Sequence, residues 1–183
     1  MDILLTLDRG LFLTINHLPH LPLTDWLALF FSGVGSAGFI WVSLGFWLFL
    51  REEKKDHRFF APFVFVILVS GLFSEVILKF LFSRLRPSPE LGAIVVGDGA
   101  GWYSFPSSHA TIAWAMAVVL SRYEPRFRWA WYVLALAISF TRIYLGVHYP
   151  FDVVTGGILG SIIGIWALYI LSPRQKKKRA HNR

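Results

Sequence analysis

The stretch VVTGGILGSIIGIWALYIL, Val153 to Leu171, contains no charge. Its 19 residues approach the ~20 that a helix needs to cross the hydrocarbon core of a bilayer. Working outward, Leu27 to Leu50 is equally uncharged and ends at Arg51. Phe59 to Phe82 contains only Glu75 and Lys79, and Trp129 to Val147 only Arg142. Ser107 to Leu120 is shorter and carries only His109; lying between two spans, it reads as another crossing. The chain of 183 residues is 55% hydrophobic and only 16% charged, against about 25% charged in soluble domains. The fold class read from this pattern is all-α: an integral membrane bundle of five to six transmembrane helices in one domain, residues 1–183.

The remaining charge is clustered. The net charge of +7 is not the mark of a nucleic-acid binder, because it sits in short runs between apolar stretches rather than on a soluble surface. Residues 51–58, the turn Arg122 to Arg128 and the tail Arg174 to Arg183 are rich in Lys and Arg. Alternating spans put all three on one side, which the positive-inside rule makes cytoplasmic. The tail 174–183 then rests in the cytoplasm or on anionic lipid. Arg9, Lys79, Arg84, Arg86 and Arg142 are the basic residues outside these runs. Apart from Arg9 they gather near the opposite ends of the spans, so they need another reason to be there. With no cysteine in the chain, disulfides, zinc–cysteine sites and thiol catalysis are excluded.

Residues 1–22 are less decided. Ile3, Leu4, Leu7, Leu11 and Ile15 form a helical apolar stripe interrupted by Asp8 and Arg9. This predicts an amphipathic helix lying on the outer interface, or a segment partly inserted as a sixth span. A cleavable signal is not expected, since the basic leader and small-residue cleavage site are lacking. Gly156, Gly160 and Gly164 share one helix face, which predicts close helix packing. Trp26, Trp102, Trp129 and Tyr149 read as interfacial aromatics.

Ionisable groups in membrane spans are costly and are functional candidates by default. Three clusters lie at the outer helix ends. Lys79 and Arg86 are two helical turns apart and face one way if the helix persists to Pro87; alone, they fit snorkelling. Pro106-Ser107-Ser108-His109 opens a span, so a helix N-terminus with free backbone N–H groups offers an anion site beside His109. Alone, it fits simple capping. Arg142, His148 and Asp152 bracket the turn between the last two spans. Asp152 can orient the imidazole of His148, an arrangement that recurs in covalent catalysis. Together the clusters suit phosphoryl transfer, where positioning and charge neutralisation dominate.

These residues resemble the type 2 phosphatidic acid phosphatases, a family related to vanadium haloperoxidases. The family's three motifs appear as Lys79 to Arg86-Pro87, as Pro106-Ser107-Ser108-His109, and as Thr141-Arg142 to His148 and Asp152. Ser108 stands where the family has Gly, and Thr141 where it has Ser. The resemblance implies that His148 attacks phosphorus to form a phosphohistidine, oriented by Asp152. It implies that His109 protonates the leaving oxygen and then activates water. Lys79, Arg86, Arg142, Ser107 and Ser108, with nearby backbone N–H groups, would hold the phosphate. No cofactor and no metal is expected, as the outer face lacks an acidic cluster for Mg²⁺.

The expected substrate is a membrane lipid phosphate in the bilayer, first of all undecaprenyl pyrophosphate. Phosphatidylglycerol phosphate, phosphatidic acid and lipid A 1-phosphate are alternatives. The expected location is a bacterial-type inner (cytoplasmic) membrane, crossed several times, with the site on the periplasmic or extracellular side. A lipid transporter would show paired repeats and broken helices, and neither is evident. A non-catalytic lipid-binding protein would not need His109, His148 and Asp152.

Overall fold

The computed structural model describes residues 2–35, 41, 43, 60–97 and 101–171. In chain order they contain α1 (Asp2–Asn16), α2 (Pro22–Gly35), α3 (Phe60–Phe82), α4 (Ser108–Tyr123), α5 (Arg128–Tyr144) and α6 (Pro150–Leu171). No strand occurs among the described residues, apart from one isolated bridge between Leu85 and Tyr103. The far half of the predicted Leu27 to Leu50 span, the basic segment 51–58 and the tail 174–183 lie outside the described residues.

The apolar stretches become helices with ends set by local chemistry. Pro150 stands in the first turn of α6, where a missing N–H is harmless. Its 22 residues extend about 33 Å at 1.5 Å per residue, enough to cross a bilayer. Helix α3 is also long and apolar enough to cross; α4 and α5, at 16 and 17 residues, fall short of that length. Among the described residues α3 and α6 are the two clear spans, and the five to six expected include the Leu27 to Leu50 stretch that lies partly outside them. Helix α3 widens to a π-helix over Leu72–Ile77 and ends at Phe82, where Ser83 turns into the left-handed region with φ of 45°. The helix thus does not persist to Pro87, and Lys79 and Arg86 do not share one helical face.

Among the described residues, the seam between α4 and α6 is the closest packing of two helices. A Cβ on Gly156 would come within 2.5 Å of the Ser107 carbonyl, and one on Gly164 within 2.8 Å of the Ala115 carbonyl. At Gly160 it would overlap the Thr111 carbonyl outright. In lipid no hydrophobic gain drives helices together, so this backbone-to-backbone fit is what holds them. Next to the seam, Met116, Leu120, Ile138 and Ile163 pack with Phe63 and Val66 of α3.

Helix α1 presents Ile3, Leu4, Leu7 and Leu11 outward and turns Asp8, Phe12 and Asn16 inward, all three buried. Ile15 leaves the predicted stripe and packs inward with Phe12. Asp8, which looked like an interruption of the stripe, is an anchor. Asn16 holds the far end: its amide donates to the Ile94 and Tyr144 carbonyls at 2.8 and 2.9 Å and accepts from the Ile94 N–H. Trp26, Trp102 and Trp129 are exposed as interfacial rings should be. Tyr149 is not: it is buried, with Phe12 against its ring edge.

Candidate active site

The α4–α6 seam brings the second and third motifs together. Ser107 caps α4, and its N–H donates to the Asp152 carbonyl of α6 at 3.0 Å. That N–H is therefore spent within the protein and is not free for an anion. His109, one residue into α4, faces a cavity of about 630 Å³. Lys79 and Glu75 of α3, Arg86, Arg142 of α5 and His148 line the same cavity. Five of the eight residues singled out from the sequence thus share one space. Ser107, Ser108 and Asp152 do not line it; they stand behind its wall, each buried.

The turn after α5 fixes His148. Its N–H and that of Val147 donate to the Arg142 carbonyl, both at 3.2 Å. Gly146 makes this turn with φ of 76°, in the left-handed region that glycine occupies without strain. The Arg86 guanidinium donates to the Val147 carbonyl at 3.0 Å, and so binds the first motif to the third. Arg142 donates from Nη1 to the Ser32 hydroxyl of α2.

Several polar atoms at the cavity are buried without a hydrogen-bond partner: Arg86 Nε, Arg142 Nε, His109 Nε2 and His148 Nδ1. Such atoms are rare in folded proteins, and where they converge on one cavity they are candidates to meet a ligand or to act in catalysis. Burial pushes the His148 imidazole well below its ordinary pKa, and the charges of Arg86, Arg142 and Lys79 push the same way. The ring is therefore neutral near pH 7, with a lone pair available. Burial likewise lowers the pKa of Arg86. Among the described residues, no group of three or more His, Asp or Glu is placed to hold a metal ion.

Asp152 does not hydrogen-bond His148 here. Its Oδ2 lies 3.8 Å from His148 Nδ1 and instead accepts the Tyr149 N–H at 2.8 Å. Its Oδ1 accepts from Arg84 at 2.6 Å. Arg84 also donates to Asp8 at 2.6 Å, and Asp8 accepts the Phe151 N–H at 2.8 Å. The Arg84 guanidinium stacks 4.2 Å from the centre of the Tyr149 ring. Burial opposes the Arg84 charge, but Asp152 and Asp8 outweigh it and hold its pKa above the ordinary value. The sequence reading assigned Arg84, Asp8 and Ser32 no role in the site. The available signal was Asp8 itself: a carboxylate on an apolar stripe needs a cation, and Arg84 was one of those left without a reason.

The model of the PAP2 superfamily matches residues 59–176. The chain is similar to the lipid A 4'-phosphatase of Porphyromonas gingivalis, 34% identical over 93% of this chain and 76% of that one. It is similar to the undecaprenyl-diphosphatase of Sulfolobus acidocaldarius, 30% identical over 92% of this chain and 80% of that one. Among solved structures, Aquifex aeolicus LpxE superposes with a TM-score of 0.72 at 31% identity, covering 87% of this chain and 93% of that one. A transmembrane PAP2-type phosphatidylglycerolphosphate phosphatase from Bacillus subtilis shares the fold with a TM-score of 0.68 at 22% identity, covering 91% and 85%.

Proposed function

We propose, for a chain that belongs to the PAP2 superfamily and is a membrane lipid phosphatase, that hydrolysis runs through a phosphohistidine on His148. A neutral ring nitrogen of His148 attacks phosphorus while the bond to the leaving oxygen breaks. His109 gives that oxygen its proton. In the second step His109 takes a proton from water, water oxygen bonds to phosphorus, and the N–P bond breaks. Lys79, Arg86 and Arg142 neutralise the phosphate oxygens throughout. Ser107 and Ser108 support the wall beside His109. Asp152 holds the turn that carries His148 through the Tyr149 N–H. The observation that carries this reading is the set of unpartnered arginine and imidazole nitrogens around one cavity.

The first substrate reading is undecaprenyl pyrophosphate, a lipid on which the Sulfolobus relative's name bears. A second, phosphorylated lipid A, is favoured by the identity to the Porphyromonas protein. The site opens on the outer side of an inner membrane. In support, α4 and α5 carry His109 and Arg142 at one end and the Arg122 to Arg128 turn at the other. Phosphate release by purified protein from a panel of both lipids, phosphatidic acid and phosphatidylglycerol phosphate tests the function. Release from at least one, abolished by His148→Ala in a folded protein, is expected. Release from none, or a fully active variant, contradicts it. Single cysteines test the side: Trp102→Cys should react with an impermeant thiol reagent in intact cells and Glu124→Cys should not, the reverse placing the site inside.

A further inference from the structure

Within a cavity built to hold an anion stands a carboxylate. Glu75 lies one turn before Lys79, on the π-helical segment Leu72–Ile77, and pairs with the Lys79 ammonium at 2.6 Å. Its side chain is 52% exposed and lines the cavity. Arg86, His109 and Arg142 line the same cavity as Glu75 and Lys79. Glu75 therefore sits among the cations rather than beside them. A carboxylate repels phosphate oxygens, so its place here is an electrostatic cost to binding that discriminates between ligands by their charge.

We propose that Glu75 selects phosphate monoesters over diphosphates. This rests on the phosphatase reading above and favours the second of its two substrates. Glu75 cancels one of the positive charges that Lys79, Arg86 and Arg142 bring to the cavity, so each further negative charge on a ligand meets less attraction. A lipid diphosphate brings about one more negative charge, and its second phosphoryl group must be placed in the same space, against Glu75. An amide in place of the carboxylate would affect both ligands equally if Glu75 were a mere partner of Lys79, and should affect them unequally if it repels the added charge. Discrimination of this kind works through a repulsive element rather than an added attraction.

The test compares farnesyl phosphate with farnesyl diphosphate, which share one lipid chain. Glu75→Gln should raise kcat/KM for the diphosphate relative to the monoester by about tenfold. Glu75→Asp, which keeps the charge, should stay within about twofold of the wild-type ratio. Equal changes on both substrates would make Glu75 a simple partner of Lys79 and overturn the proposal, as would a shift in Glu75→Asp equal to that of Glu75→Gln. Calorimetric binding of inorganic phosphate and inorganic pyrophosphate reads the same preference without turnover and without a variant. Wild-type protein should bind phosphate more tightly than pyrophosphate; the opposite order overturns the selectivity. If wild type releases phosphate from neither farnesyl ester yet binds the two anions in the expected order, it is the phosphatase reading that fails and not the role of Glu75.

Discussion

On one side of the cavity, α4 and α6 meet backbone to backbone at Gly156, Gly160 and Gly164, and this seam sets where His109 stands and where the turn carrying His148 ends. On the other side, Lys79, Arg86 and Arg142 reach in on long side chains from a helix with a π-helical segment, from a loop and from the end of α5. The first wall has no slack: Asp152 is wholly buried and its carboxylate is engaged by Arg84 and the Tyr149 amide. The second wall keeps unpartnered guanidinium nitrogens and a half-exposed Glu75. Groups that make and break bonds to phosphorus need fixed positions. Groups that neutralise charge tolerate some play. Under the proposed mechanism, the glycine-packed wall carries the chemistry and the cationic one the binding.

The largest expected effect comes from opening the packed wall. Gly160→Val has no room against the Thr111 carbonyl, so the seam must part. A loss of about 3 kcal/mol or more and of nearly all activity is expected, seen as a lowered melting temperature in detergent. Unchanged melting would break the contrast between the walls.

Arg84→Gln comes next. It leaves the carboxylates of Asp8 and Asp152 side by side without the cation between them. Acting through Asp152, it should lower kcat about 30-fold with KM nearly unchanged. Arg84→Lys should recover only part of this, because one ammonium lacks the planar fork that reaches both carboxylates. A rise in KM alone would move Arg84 to the binding wall.

Arg86→Gln sharpens how the binding wall tunes the nucleophile. The lowered pKa of His148 keeps the ring neutral as pH falls, and Arg86 is one cause of that lowering. Without the Arg86 charge, His148 takes up its proton at higher pH. The acid limb of kcat/KM should move upward in pH, and a downward shift would contradict the assignment. The smallest effect is expected of Ser32→Ala, which removes the hydroxyl that holds Arg142. KM should rise about two- to threefold with kcat unchanged.

Much of this was legible in the chain. Long apolar stretches marked α3 and α6 to within a few residues, because lipid-facing helices must be apolar along most of their length. The three motifs named every cation and histidine that lines the cavity. Hidden from it were residues whose meaning depends on a distant partner. Asp8 meets Arg84 across 76 positions, and Ser32 meets Arg142 across 110. No periodicity links such pairs. The end of α3 at Phe82 was hidden for another reason: Pro87 is a visible stop, whereas the left-handed turn at Ser83 has no glycine to announce it. The Ser107 N–H looked free because a sequence shows a helix start but not the Asp152 carbonyl packed against it.

The measurement that bears most directly on the division of labour is a rapid acid-free quench of wild-type enzyme turning over a lipid phosphate labelled at phosphorus, followed by mapping of the label. The account predicts acid-labile, base-stable phosphate on the peptide that contains His148, absent from His148→Ala. Label on any other residue, or steady turnover by His148→Ala, would contradict it.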